Sequence, residues 1–188
     1  TANRLNKRNA AKHYPYYIMK LNELNKYYTF HLTSYIDVGE LERDTSLFVC
    51  RCSVFPKFFM SYKELVENVD SVDESTRERF RGQFKSFLNE LLNSYSLYVT
   101  DKNSDTIIEI IEITSELIIN LTEKSVINLF IPDLKIAMIG HDDYGFILVT
   151  DIKNPYLSNI SNKLEQHVLY LVKPEKAMNM DNKRINHS

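Results

Sequence analysis

Between residues 74 and 95 the apolar positions are Phe80, Phe84, Phe87, Leu88, Leu91, Leu92 and Tyr95, with polar residues filling most of the gaps. Steps of four, three and one keep all seven in a stripe about a third of the way round a helix. The pattern predicts a long helix laid against a sheet or another helix. Ser71-Val-Asp-Glu74 reads as its capping box, and Ser61-Tyr-Lys-Glu64 opens a shorter helix before it in the same way.

A period of two governs residues 27–35, "YYTFHLTSY". Tyr28, Phe30 and Leu32 alternate with Tyr27, Thr29, His31 and Thr33, which predicts a strand. A second strand is expected at 46–55, joined to the first by an acidic loop containing Gly39 and forming an antiparallel pair with it. The preceding "YPYYIMKLNELNK" carries mixed signals and reads as a short helix. "SLYVTDKNSDTIIEIIEIT" reads as strand, turn, strand, with Asp101–Asp105 as the polar tip.

Thr114 or Ser115 caps a helical stretch expected to run through "ELIINLTEKSVINLFI", with a restart at Thr122 and a stop at Pro132. "LKIAMIG" and "FILVTD" flank "HDDYG" as a hairpin. Asn154-Pro155 then opens a last helix with the stripe Leu157, Ile160, Leu164 and Val168. "LYLVK" is expected to close the sheet. Hairpins and helices arrive in mixed blocks, so the expected fold is α+β: a single domain with a largely antiparallel sheet of hairpins packed against several helices. The expected organisation is a basic N-terminal arm at 1–13, the domain at 14–173 and a polar C-terminal tail at 174–188.

Composition narrows the functional classes. The chain has 188 residues, 44% hydrophobic and 26% charged, as in a globular protein with a full core. Its formal net charge of -2 is too small to mark a nucleic-acid binder or an acidic mimic of one. The distribution is uneven. Arg4, Lys7, Arg8, Lys12 and Lys20 stand in the first twenty residues without an acid, whereas residues 37–74 hold nine acids against four bases. No apolar run reaches the length of a membrane span and no signal-peptide core follows the basic start, so a cytoplasmic protein without membrane contact is expected. Cys50 and Cys52, two apart on a predicted strand, share a face as small buried hydrophobes of a reducing compartment.

The one stretch that invites a chemical reading is "IAMIGHDDYGFILVTDIK". Asp143, Asp151 and Lys153 match the bare pattern of a PD-(D/E)xK nuclease core. However, eight residues of strand separate the two acids by about 25 Å, too far to share one metal ion. A hairpin tip accounts for the segment better: Asp142 and Asp143 favour a turn, and Gly145 can supply a positive φ. The histidines show no zinc-ligand spacing, and no nucleophile elbow or glycine-rich phosphate loop occurs. Neither a catalytic residue, a metal site nor a cofactor is expected.

What remains is a protein-binding module. Its most concrete form is a small cytoplasmic inhibitor or immunity protein that occludes a bacterial toxin or enzyme, one with a basic surface. The expected contacts are His141, Asp142, Asp143 and Tyr144 on the tip, with Asp37, Glu40, Glu42 and Asp44 in the first strand connection. Two alternatives stand beside it. One is an enzyme whose site assembles non-locally; the other is a nucleic-acid-associated protein using the basic arm, which the charge makes the weaker reading.

Overall fold

The computed structural model describes residues 18–33, 36–57, 59 and 61–172; the basic arm at 1–13, Tyr14, Tyr16, Tyr17 and the C-terminal tail lie outside the described residues. The strands are β1 (Ile18–Lys20), β2 (Leu47–Ser53), β3 (Tyr98–Asp101), β4 (Thr106–Glu109), β5 (Ile127–Ile131), β6 (Ile136–His141), β7 (Gly145–Asp151) and β8 (Tyr170–Val172). They form one sheet in the order β1-β4-β3-β5-β6-β7-β2-β8, and every pairing among the described residues is antiparallel. The helices are α1 (Val38–Leu41), α2 (Tyr62–Leu65) running into a π turn at Val66–Asp70, α3 (Glu74–Ser94), α4 (Ser115–Thr122) and α5 (Leu157–Gln166). The fold is α+β, with hairpins at β3–β4 and β6–β7.

Two long crossings cover the sheet. From β1 to β2 the chain passes over β4, β3, β5, β6 and β7, six strand intervals or about 29 Å. It returns on the other face through α3, whose 21 residues span about 31 Å and carry it from β2 to β3. Phe84, Phe87, Leu88 and Leu91 of α3 are fully buried there against Cys52, Leu129, Met138, Phe146 and Leu148, with Ile118 of α4 and Ile160 and Leu164 of α5. On the opposite face Leu21, Leu24, Phe30 and Leu32 pack on Ile107, Phe130, Ala137, Ile139, Ile147 and Val149.

Because β5, β6 and β7 are covered on both faces, their apolar runs are continuous and not alternating. All five residues of β5 are buried, as are the first five of β6 and the first six of β7. That pattern is usual for strands of parallel sheets; here it follows from two crossings over an antiparallel one.

The structure corrects several expectations. Residues 28–33 form no strand. Phe30 and Leu32 do point inward, but onto the sheet face, and the backbone is held by the side chain of Asn25, whose Oδ1 accepts from the Leu32 N–H at 2.6 Å. The pairing with 46–55 is therefore absent, although β2 itself falls where expected. The acidic connection contains helix α1, capped by Asp37, which accepts from the Glu40 N–H. The strand nearest the N-terminus is β1, inside the segment read as a short helix.

Helix α4 ends at Thr122, and "INLFI" is β5. The turn at Ser125, with φ of 54°, separates them. A continuous apolar run does not by itself distinguish a buried helix from a buried strand. The residue capping α3 is Asp73, accepting from the Thr76 N–H at 2.7 Å, and not Ser71. Asn154 makes an Asx turn to the Tyr156 N–H, and α5 starts only at Leu157. Cys50 and Cys52 are buried thiols that form no disulfide, and burial pushes the Cys52 thiol up. Among the described residues no helix is long and apolar enough to cross a membrane.

Candidate binding site at the β6–β7 tip

The tip is a three-residue turn. His141 pairs with Gly145 across the hairpin, leaving Asp142, Asp143 and Tyr144 to reverse the chain. The left-handed residues are Asp143 and Tyr144, with φ of 58° and 54°. Gly145, expected to take the positive φ, does not. It is required for room instead: a Cβ there would lie 2.8 Å from the Cys52 carbonyl oxygen and 3.2 Å from Arg51 Nε.

A left-handed tyrosine is disfavoured by roughly 1–2 kcal/mol, so something must hold it. Tyr144 is only 4% exposed, and its ring sits 5.2 Å from that of Phe80 on α3. The Val54 N–H and the Ser53 hydroxyl both donate to its carbonyl oxygen. Arg51 donates from Nη2 to the Asp143 carbonyl at 3.0 Å. The tip is thus fastened to β2 and α3. Tyr144 supports the turn from inside and is not displayed beside its neighbours.

Asp142 points outward, 66% exposed along its side chain, and its Oδ1 lies 2.9 Å from His141 Nδ1. Asp143 is half-covered. Burial raises its carboxyl above the ordinary carboxylate range, Asp142 adds to the shift, and Arg51 and His141 oppose it. Beside the tip lies an open cleft of about 260 Å³. Asp70, Glu123, Asp142 and Asp143 line it with Arg77 as the one cation, over a floor of Val69 and Tyr144. Glu123 already holds Arg81 in a two-pronged pair, Nε to Oε1 at 2.7 Å and Nη2 to Oε2 at 2.9 Å. Arg77 is occupied by the carbonyls of Asp70 and Val72. With Glu123 compensated by Arg81, three aspartates face Arg77, and the cleft keeps an acidic balance.

Asp37, Glu40, Glu42 and Asp44 lie elsewhere. They precede Leu47, which pairs with Asp151, whereas the tip adjoins Ser53 and Gly145 at the other end of β2 and β7. About 20 Å of strand separates the two groups. Asp37 and Asp44 are spent locally, Asp37 on α1 and Asp44 on the Ser46 N–H and hydroxyl, which hold its carboxyl below the usual range. Asp143 and Asp151 stand at opposite ends of β7, as the strand length required.

Three partners of the tip were not legible as such. Asp70, Arg77 and Glu123 come from the π turn, α3 and the end of α4, and no sequence spacing links them to residue 142. A second cleft, of about 480 Å³, opens beside β1 with Lys20, His31 and Asp105 on its walls. His31 is exposed there. Comparison of the chain with protein-family models, with curated proteins and with solved structures finds no match, so the site is read from its own geometry and charge.

Proposed function

We propose that this protein is a binding module that engages a basic surface of another protein through the β6–β7 tip, and that it acts as an inhibitor by covering a toxin or enzyme. The observation that carries the reading is the cleft beside the tip, where Asp70, Asp142 and Asp143 face the single arginine Arg77 and Glu123 is held by Arg81. A fixed turn loses little entropy on association, so charge placed on it contributes to binding without an ordering cost. An acidic rim speeds the approach of a basic partner, and the gain fades as salt rises.

The test compares the wild-type chain with D142K/D143K as baits in extracts of the source cell. One stoichiometric protein partner should be retained by the wild type and lost by the variant, without a lowered melting temperature. Adding the purified chain should then suppress that partner's activity, with affinity falling as salt is raised. Equal capture by both baits, or a partner whose activity is untouched, would overturn the reading.

A further inference from the structure

At the same end of the sheet, but independent of the cleft, a lysine and a serine meet around one glycine. Lys102 follows β3 and Ser125 forms the turn between α4 and β5. Lys102 Nζ donates to Ser125 Oγ at 2.8 Å and to the Gly140 carbonyl at 3.0 Å, and Ser125 Oγ donates to that same carbonyl at 2.6 Å. The glycine is fixed in turn. Its N–H donates to Asn128 Oδ1, and a Cβ on it would lie 2.4 Å from the Ile127 carbonyl oxygen, so only glycine fits. Ser125 holds a left-handed φ of 54°, a conformation disfavoured for serine and one that concentrates at functional turns. Backbone bonds secure the turn on both sides, from the Lys124 and Val126 N–H groups to Ile119 and Asn120 and from the Lys102 N–H to Val126.

We infer that Ser125 and Lys102 form a nucleophile–base pair that takes an acyl group from small activated esters reaching these two partly exposed residues. An amine within hydrogen-bond distance of a serine hydroxyl is the arrangement of Ser–Lys hydrolytic pairs, where the lysine removes the hydroxyl proton. Both hydrogen-bond partners of Nζ are neutral, and both residues are partly exposed. Burial lowers the Lys102 ammonium from its ordinary range, while Asp142 on the hairpin opposes that shift. The other charged residues of the segments meeting there are Asp101 and Asp105 on the lysine's own turn, with Glu123 and Lys124 before the serine.

With p-nitrophenyl acetate the step balances as follows. Once deprotonated, Nζ keeps its bond to the Gly140 carbonyl and the Ser125 hydroxyl proton turns from that carbonyl to the nitrogen lone pair; Nζ then takes the proton as Oγ bonds to the acetyl carbon. The bond from that carbon to p-nitrophenolate breaks, the anion leaves, and the ammonium gives its proton to solvent. Water then releases acetate and restores the serine.

The experiment incubates the full chain with p-nitrophenyl acetate between about pH 7 and 10, spanning the approach to the ordinary lysine pKa, and maps the adduct by peptide mass spectrometry. The expected result is acetyl on Ser125, formed at a rate that rises with pH and levels off below the ordinary lysine value. S125A should lose the adduct. K102R keeps a cation able to hold Gly140 but cannot serve as base, and should slow acylation by about 100-fold or more at unchanged melting temperature. An unlabelled Ser125 in the folded wild type, acetyl on Lys102 instead, or equal labelling in K102R would each overturn the pair.

Discussion

At the scale of single residues, the tip and its surroundings make predictions with opposite signs. The folded state holds the Asp143 proton more tightly than the unfolded chain does, because burial disfavours its charged form and Asp142 adds to that. Stability therefore falls as pH rises from the ordinary carboxylate pKa through the folded one, and the loss is complete above both. D143N should raise the melting temperature at pH 7, and the pH-dependent part of that gain should vanish below about pH 4. A difference from wild type that stays flat across pH would show that covering this carboxylate carries no penalty. Glycines give a second contrast. Gly82 in α3 has open space where a Cβ would go, so G82A should stabilise by about 0.5–1 kcal/mol. G140A forces a Cβ into the Ile127 carbonyl and should destabilise by about 3 kcal/mol or more, both read from urea denaturation. None of this was visible in the sequence. Gly140 and Gly145 are needed because of chain that approaches from residues 127 and 52, and the positive φ at the tip falls on Asp143 and Tyr144. What the sequence did carry was the turn itself, since two aspartates between apolar runs favour one wherever the strands lie.

At the scale of elements, legibility followed how much of an element's environment is its own. Helix α3 was readable almost to the residue because one face is buried and the other solvated, so its period survives. Strand β5 was not, because both its faces are covered and a uniformly apolar run has no period. Residues 28–33 failed in the opposite way: they alternate as a strand does, yet they alternate against a sheet face and not within a ladder. Caps follow the same logic, being local and therefore testable one by one. The Thr114 hydroxyl accepts from the Leu117 N–H at 3.1 Å, so T114A should cost about 1 kcal/mol and S115A close to nothing, measured by thermal or chemical unfolding. Between elements, Arg81 ties α3 to the end of α4 through its two-pronged pair with Glu123 and also reaches Glu74 and Glu78. A lysine can occupy that position but cannot make the fork. R81K should lower stability by about 1–3 kcal/mol, and the loss should persist at high salt because both side chains of the pair are largely covered.

At the scale of the whole molecule the two covers of the sheet are unequal. The α3 side is regular helix, with its backbone bonds internal to each helix, and Glu90 on α3 further binds Lys163 and His167 at the end of α5. The other side is built from two short 3-10 turns, an irregular stretch and a four-residue helix, held mainly by side chains: Leu21, Leu24, Phe30 and Leu32 in the core, and the Tyr28 hydroxyl donating to the Ile136 carbonyl. Amides in such a segment are protected only while its side chains stay docked, whereas those of β5, β6 and β7 are protected until the sheet itself opens. Native-state hydrogen exchange should therefore show amides of residues 28–33 and 36–41 exchanging through a low-energy opening, well before those of 127–131, 136–141 and 145–151. That opening uncovers Ile139, Ile147 and Val149 and leaves the α3 face intact, so F30A should accelerate exchange at 28–33 and 36–41 more than at 145–151. It should leave the hairpin tip almost unaffected, because the contacts that fix Tyr144 come from Phe80 and β2 on the other side. Uniform acceleration across the sheet would mean that the two covers form one cooperative unit. In the expected case the tip and its cleft rest on the more stable half of the molecule.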